Sequence, residues 1–144
     1  MSNKSIHYTV IPYTLNAPAA HTSTLTGAAF DREKGPSGDI AAPYEALDII
    51  VDFGAWTDGS HTPKLQDSPD NSTWTDVPAA GQLGAFTAIT SATGQNLVQR
   101  VSYVNGNRYV RAVVTVSGAT TGAIYGVLAV GAYPANLPTV ASGS

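Results

Sequence analysis

Residues Leu47 to Val77 read LDIIVDFGAWTDGSHTPKLQDSPDNSTWTDV, and this stretch decides the fold. Every odd position from 47 to 53 is apolar, whereas Asp48 and Asp52 occupy even positions. A period of two is typical of a strand that buries one of its faces. The segment therefore predicts a strand with one apolar face and one partly charged face.

A first tight turn is predicted at Thr57-Asp58-Gly59. A type I turn followed by glycine closes a three-residue hairpin loop, because glycine takes positive φ at no steric cost. The resulting register sets apolar residues and opposite charges against each other, and a slip of one residue loses both. His61 is then expected to be a solvated residue near the turn. The predicted pairs are Trp56 with Ser60, Asp52 with Lys64, and Val51 with Leu65.

A second turn is predicted at Ser68-Pro69-Asp70-Asn71-Ser72. Pro69 presets φ for a turn, and Asn71 tolerates the left-handed conformation. Residues Thr73 to Val77 then supply β-branched and aromatic strand formers. The stretch as a whole predicts a three-stranded β-meander.

The segments before this meander also predict strands. Ile6 to Leu15 predicts an edge strand or an arm, because Pro12 removes a donor from the ladder. After a break at residues 17–20, Thr22 to Phe30 predicts a second strand. Residues 31–43 contain Gly-Pro-Ser-Gly and most of the local charge, and they predict a mobile surface loop.

A further hairpin is predicted at Asn105-Gly106, a dipeptide that favours a two-residue type I′ turn. It would join the predicted strands Leu97 to Tyr103 and Asn107 to Val116. The predicted pairs are Val101 with Val110, and Leu97 with Val114.

Residues Ile124 to Tyr133 are apolar on both faces. Such a strand is either central in a sandwich or covered by a neighbouring subunit. The second interpretation predicts an interface along this strand. The predicted interface residues are Ile124, Tyr125, Val127, Leu128, Val130 and Tyr133.

About eight short strands separated by turns predict an all-β fold, either an antiparallel β-sandwich or a jelly roll, with extended N- and C-terminal arms. Residues 1–20 are predicted to form the N-terminal arm or edge strand, and residues 21–133 the sandwich domain. Residues 134–144 are broken by proline and rich in small residues, and they predict a flexible C-terminal tail.

Composition argues against several classes of protein. The chain has 144 residues, no cysteine and a net charge of −3, which disfavours thiolate metal sites and a basic nucleic-acid surface. It has no apolar run near the ~20 residues of a membrane span. Residues 1–5 lack the apolar region of a signal peptide. Charged residues make up only 12%, against a usual ~25%, which fits either a surface packed against other subunits or an ordinary secreted-type β domain.

No catalytic, cofactor or metal site is predicted, and the chain is not expected to be an enzyme. His7, His21 and His61 lie on separate segments, whereas a zinc site needs three or four converging ligands. No Gly-x-Ser-x-Gly motif is present. Oxygen ligands surround the second turn, but EF-hand spacing is absent and turn-forming roles explain them. These residues are Asp67, Asp70, Asn71 and Asp76.

Aromatic residues suggest an alternative function as a carbohydrate-binding module or tail adhesin. Aromatic faces stack well on flat apolar surfaces such as those of sugars, although the same rings also serve as core or edge packing. The candidate platform residues are Trp56, Trp74 and Tyr109, with Tyr103 as a further ring.

Two segments resemble small structural proteins of tailed bacteriophages. Trp56 to Val77 is similar to the pattern D-G-T-x-T-P-K-L-Q-E-S-D-D-G-S-T-W-T-D-V of those proteins. Arg108 to Gly122 is similar to the stretch K-R-Y-V-R-x-x-x-T-V-T-G-A-T-T-G that follows in them. Asn71 stands in the place of a glycine of the family, and it preserves the turn because asparagine also tolerates positive φ.

The resemblance implies a virion protein, and specifically a head decoration (cement) protein on the outer surface of the capsid. Its implied partners are the major capsid protein and further copies of itself, with a trimer favoured. Nucleic acid and membrane are not expected partners. Synthesis in the host cytoplasm without a signal peptide is expected. The motifs are turn-and-strand motifs, so the resemblance carries no functional residue over to this chain.

Overall fold

A computed structural model describes residues 10–35 and 43–134 of the chain. In these residues the fold is an all-β, antiparallel sandwich, as predicted. Two short 3-10 turns, Ala79–Gly81 and Ala92–Gly94, interrupt the loops. The strands are β1 (Val10–His21), β2 (Leu25–Thr26), β3 (Phe30–Asp31), β4 (Tyr44–Trp56), β5 (Ser60–Ser68), β6 (Thr75–Asp76), β7 (Gln82–Leu83), β8 (Val98–Tyr103), β9 (Tyr109–Ser117) and β10 (Ala123–Pro134).

The strands form two sheets. Sheet A has the order β1-β10-β4-β8-β7, and sheet B has the order β2-β9-β5-β6, with β3 also paired to β9. The number of strands exceeds the predicted eight because β2, β3, β6 and β7 are pairings of two residues each. Such short pairings leave no periodic pattern in a sequence.

Strand β1 begins at Val10 and lies at the edge of sheet A, a position where a proline such as Pro12 is tolerated. The predicted break at residues 17–20 is wrong, because β1 continues to His21 beside β10 through two register irregularities. Residues 6–9 of the predicted strand, 36–42 of the predicted loop and 135–144 of the predicted tail lie outside the described residues.

The predicted hairpin at residues 57–59 is wrong. Val51 pairs with Val127 and Gln99 in sheet A, whereas Leu65 pairs with Ala112 in sheet B. The connection is therefore an arch that carries the chain from one sheet to the other. Val51 and Leu65 are nevertheless both buried in the core, because a period of two specifies the buried face and leaves the neighbouring strand open.

The hairpin predicted at residues 105–106 is wrong for the same reason. Val101 pairs with Ile49 in sheet A, and Val110 pairs with Asp67 in sheet B. A type I′ turn requires positive φ at both of its central residues. Neither Asn105 nor Gly106 has a positive φ, so the turn is not type I′. The loop at residues 118–122 also crosses between the sheets, from β9 to β10.

The second predicted turn is confirmed. Strand β5 pairs with β6 in an antiparallel ladder that sets Gln66 opposite Asp76, and Asn71 has φ of 61°. The carboxylate of Asp70 holds the turn by accepting the N–H groups of Ser72 and Thr73 at 3.0 and 2.9 Å. Local hydrogen bonds of this kind close a hairpin without help from distant strands.

The core lies between the inward faces of the two sheets. Its largest fully buried side chains come from both, and they include Tyr125 and Phe53 of sheet A and Leu65 of sheet B. Burying a large apolar side chain contributes roughly 1.5–3 kcal/mol, so this layer is the main source of stability. The further members of this group are Phe30, Leu47, Ile49, His61, Val51, Val101, Val110, Val114 and Val127.

One carboxylate joins two of the arches. Asp58, in the β4–β5 arch, accepts the N–H groups of Thr120, Thr121 and Gly122 at 3.1, 3.1 and 2.6 Å. These bonds, above all the one from Gly122, lower the pKa of Asp58. The N–H of Thr57 donates in return to the carbonyl of Gly122 at 2.9 Å.

Gly122 is required at its position in the β9–β10 arch. Its φ is +83°, and a Cβ there would overlap the backbone carbonyl of His21 at the end of β1. Gly118, in the same arch, has φ of +65°, but a Cβ at this position would meet no heavy atom within 4 Å. Glycine is therefore favoured at position 118 by the positive φ and not by a close contact. The two glycines separate the cost of positive φ from the cost of the contact.

We predict that Gly118→Ala lowers the free energy of unfolding by about 1–2 kcal/mol, the usual cost of a left-handed alanine. Gly122→Ala is expected to lower it by about 2–5 kcal/mol, because its methyl group must also displace the backbone of β1. Urea unfolding of both variants measures the difference. Equal losses in the two variants would contradict the close contact with His21.

Candidate functional site

Strand β10 is an interior strand of sheet A, and its two faces have different surroundings. Tyr125 and Val127 point inward and are fully buried in the core, so they are not surface residues as the predicted interface required. Ile124, Leu128 and Val130 alternate with them on the outer side, where Ile124 is 44% exposed and the other two are half-buried. Tyr133, at the end of the strand, is 64% exposed.

Neighbouring strands extend this outer surface. Leu128 lies opposite Ile50 of β4, and Val98 of β8 continues the surface at 64% exposure. Leu83 and Val104 line a shallow recess of about 370 Å³ at its far edge. We call this surface the apolar face of sheet A, and its residues are Ile50, Leu83, Val98, Val104, Ile124, Leu128 and Val130.

The apolar face also carries charged groups of β4 and β8, of which Arg100 and Asp48 pair with each other, whereas Asp52 is exposed opposite Val98. Arg100 of β8 lies 3.6 Å from the carboxylate of Asp48 of β4, and the hydroxyl of Ser102 donates to the same carboxylate. An exposed ion pair of this kind contributes little to stability. It leaves the apolar residues on either side as the main feature of the surface.

The outer face of sheet B has the opposite character. Every exposed large hydrophobic side chain among the described residues lies on sheet A or directly beside one of its strands. On sheet B, Gln66 accepts two hydrogen bonds from Arg111 and donates to Asp76, which also pairs with Lys64. The indole of Trp74 stacks on the guanidinium of Arg111 at 4.1 Å. The sandwich therefore has one apolar and one polar outer face.

The structure does not bring the predicted sugar platform together. Trp56 donates its Nε1–H to Gly59 at the start of β5, whereas Trp74 precedes Thr75, which pairs with Asp67 near the other end of β5. Eight residue steps of extended chain separate Gly59 from Asp67, about 26 Å at about 3.3 Å per residue. Tyr109 lies at the Trp74 end, and its ring is covered by Arg108 at 4.9 Å.

A buried carboxylate at the end of β5 organises a polar cluster that the sequence interpretation missed. Asp67 is 1% exposed and accepts hydrogen bonds from Tyr103 at 2.7 Å, Asn105 at 2.9 Å and Thr75 at 3.2 Å. The Tyr103 hydroxyl in turn accepts the N–H of Asn107. Burial and the neighbouring carboxylate raise the pKa of Tyr103. The alternation of side chains along a strand could have predicted that Asp67 is buried, because Asp67 follows Leu65 by two positions and so lies on the same inward face.

Two of the three histidines meet at Tyr125. His61 is fully buried, which corrects its expected place as a solvated turn residue. Its Nε2 lies 3.0 Å from the carbonyl of Asp58. Since a carbonyl only accepts, in the neutral imidazole Nε2 carries the proton and Nδ1 accepts from the Tyr125 hydroxyl at 3.2 Å. His21 stacks on the ring of Tyr125 at a centroid distance of 4.3 Å, and burial lowers the pKa of His21.

The described residues do not assemble a metal site. No three His, Asp or Glu side chains among them converge as a metal ion requires. The turn carboxylates considered for calcium are engaged by donors instead, Asp70 by backbone N–H groups and Asp76 by Lys64 and Gln66. A surface groove of about 510 Å³ along residues 85–100 has Arg100 as its one ionisable lining residue.

No protein-family model matches this chain, and a search of curated proteins returns none with significant similarity. Within residues 10–35 and 43–134, no helix is long and apolar enough to cross a membrane. Function is therefore inferred from the apolar face of sheet A and from the sequence resemblance.

Tyr103→Phe is predicted to lower the free energy of unfolding by about 1–3 kcal/mol, because it leaves the Asn107 N–H without its acceptor and removes a donor from buried Asp67. Tyr109→Phe, the same change at a half-buried ring, is expected to stay within about 0.5 kcal/mol of the parent. Urea titrations of the two variants give the comparison. A loss in Tyr103→Phe no larger than that in Tyr109→Phe contradicts the role given to the cluster.

Acid should weaken the second turn through Asp70. Hydrogen bonds from the backbone of Thr73 and Ser72, and from the Ser68 hydroxyl, lower its pKa from 3.8 to about 2. A lowered carboxylate pKa gives stability that is complete above the unfolded value and is lost as pH falls through the folded value. Asp70→Asn cannot ionise, so its deficit relative to the parent should be full at neutral pH and should close between pH 3.8 and about 2. Thermal melts across this range test it, and a deficit independent of pH contradicts it.

Proposed function

We propose that this chain is a non-enzymatic structural protein of a tailed-bacteriophage virion, a head decoration (cement) protein on the outer surface of the capsid. It would act as a homo-oligomer, with a trimer favoured, and bind the major capsid protein through the apolar face of sheet A. The single observation that carries the proposal is the contrast between the two outer faces of the sandwich.

The apolar face is a poor surface to leave in water. Leu83 and Val98 are each 64% exposed, and Val104 is 51% exposed. Burying a fully exposed side chain of this size contributes roughly 1.5–3 kcal/mol, so each of these residues offers about 1–2 kcal/mol to an association. Contiguous apolar patches on a surface mark sites of protein association.

The resemblance to phage structural proteins supports the choice of partner. Its two segments form neighbouring strands, because β5 and β9 pair along their whole lengths from Ser60–Ser117 to Ser68–Tyr109. Trp74 of the first segment stacks on Arg111 of the second. The phage-like residues therefore belong to one structural unit centred on sheet B. We assign the partner to the outer face of sheet A, which lies outside this unit.

A carbohydrate-binding or tail adhesin module is the alternative. It has less support, since Trp56 lies far from Trp74 and Tyr109, and since both of the latter rings already have a guanidinium against one face. A sugar would have to use the remaining face of a single ring.

The test compares Val98→Glu and Ile124→Glu with Thr115→Glu, which places the same charge on the exposed outer face of sheet B. The parent protein should scatter light as an oligomer and co-sediment with heads of its own virus assembled without it. Both sheet A variants should weaken oligomerisation or head binding at least about tenfold, because an unpaired charge in an interface costs more than about 1.4 kcal/mol. Thr115→Glu should behave as the parent.

A parent protein that stays monomeric and ignores heads contradicts the proposal. Glycan binding that is lost in Trp74→Ala, together with normal behaviour of Val98→Glu and Ile124→Glu, would favour the adhesin alternative.

A further inference from the structure

The arch between β8 and β9 contains an Asn-Gly pair in an unusual setting. The side-chain Nδ2 of Asn105 donates to the carboxylate of Asp67 at 2.9 Å. Gly106 is exposed, and a Cβ at its position would meet no heavy atom within 4 Å. The Gly106 N–H makes no hydrogen bond to a described residue.

We propose that Asn105 is a site of deamidation, that Asp67 holds the reaction in check, and that its product loosens the β8–β9 arch. The backbone nitrogen of Gly106 attacks Cγ of Asn105, so that a C–N bond closes a five-membered succinimide and ammonia leaves. Water then opens the ring and gives aspartate or isoaspartate at position 105. Glycine favours the attack because it has no Cβ to hinder the approach of its nitrogen to the side chain.

Asp67 restrains the first step. To reach the Gly106 nitrogen, the Asn105 amide must leave a carboxylate that is only 1% exposed and that is also held by Tyr103 and Thr75. The reaction therefore requires a local opening of the arch, and its rate follows the population of the open form.

The product changes the same contact. A carboxylate at position 105 removes the donor that faces Asp67 and places a second negative charge beside the first, in a cluster where burial strengthens the repulsion. Isoaspartate also adds a methylene group to the backbone next to Val104, whose N–H donates to the carbonyl of Gly81 at 2.9 Å. Because Val104 belongs to the apolar face of sheet A, the modification would disturb the edge of that face. The chemistry itself does not rest on the proposed function.

The first experiment follows the mass gain that accompanies replacement of NH2 by OH, in the tryptic peptide that contains position 105, during incubation of the full chain in mildly basic buffer. A synthetic peptide of residues 101–110 and the full chain in denaturing urea serve as unrestrained references. The folded chain should react at least about tenfold more slowly than both references, since only its open form reacts. Gly106→Ala should fold normally, because its methyl group enters open space, and should slow the reaction in urea as well.

The second experiment measures the consequence of the product. Asn105→Asp should melt at a lower temperature than the parent, whereas Asn107→Asp, which adds the same charge two residues away, should melt close to it. Asn107 contributes its backbone groups to the cluster, so this control leaves those contacts in place. A folded chain that deamidates as fast as the peptide refutes the restraint by Asp67. An Asn105→Asp melt equal to that of Asn107→Asp refutes the loosening of the arch.

Discussion

Three backbone N–H groups of the β9–β10 arch converge on the carboxylate of Asp58 in the β4–β5 arch. Both arches carry the chain between the sheets, so this contact fixes how the sheets meet at one end of the sandwich. The same end contains buried His61, whose Nε2 donates to the Asp58 carbonyl and whose Nδ1 accepts from Tyr125. Asp58 therefore links a surface arch to the middle of the core, and Gly122 makes the close approach to β1 possible.

The sequence predicted the class of fold and the buried face of most long strands, but not their neighbours. Val51 and Leu65 are both buried as their alternation indicates, yet they belong to different sheets. Turn residues do not distinguish a hairpin from an arch, since Gly59 takes positive φ in either case. The hairpin at residues 68–72 was predictable because Asp70 closes it with local bonds, whereas the arches depend on pairing with strands β9 and β10, which are distant in sequence.

The candidate site was only partly predictable for the same reason. Ile124, Leu128 and Val130 stand out in one doubly apolar strand, but a strand that is apolar on both faces does not show which face is buried, so Tyr125 and Val127 could not be assigned to the core from the pattern. The rest of the apolar face comes from single apolar residues in otherwise polar segments. These are Leu83, Val98 and Val104, and they join Ile50 of β4 and the residues of β10 only through the order of strands in sheet A.

The edges of sheet A indicate how an association through this sheet would form. Strand β1 carries Pro12 and Pro18 and two register irregularities, and β7 at the opposite edge is only two residues long. Prolines, bulges and short strands all hinder the addition of another strand to a sheet edge. The outer polar groups of sheet B are paired with one another, as in the contacts of Gln66 with Arg111. Because these edges are blunted and the polar groups of sheet B are paired with one another, side-chain packing on the apolar face is the mode of association that the described residues favour.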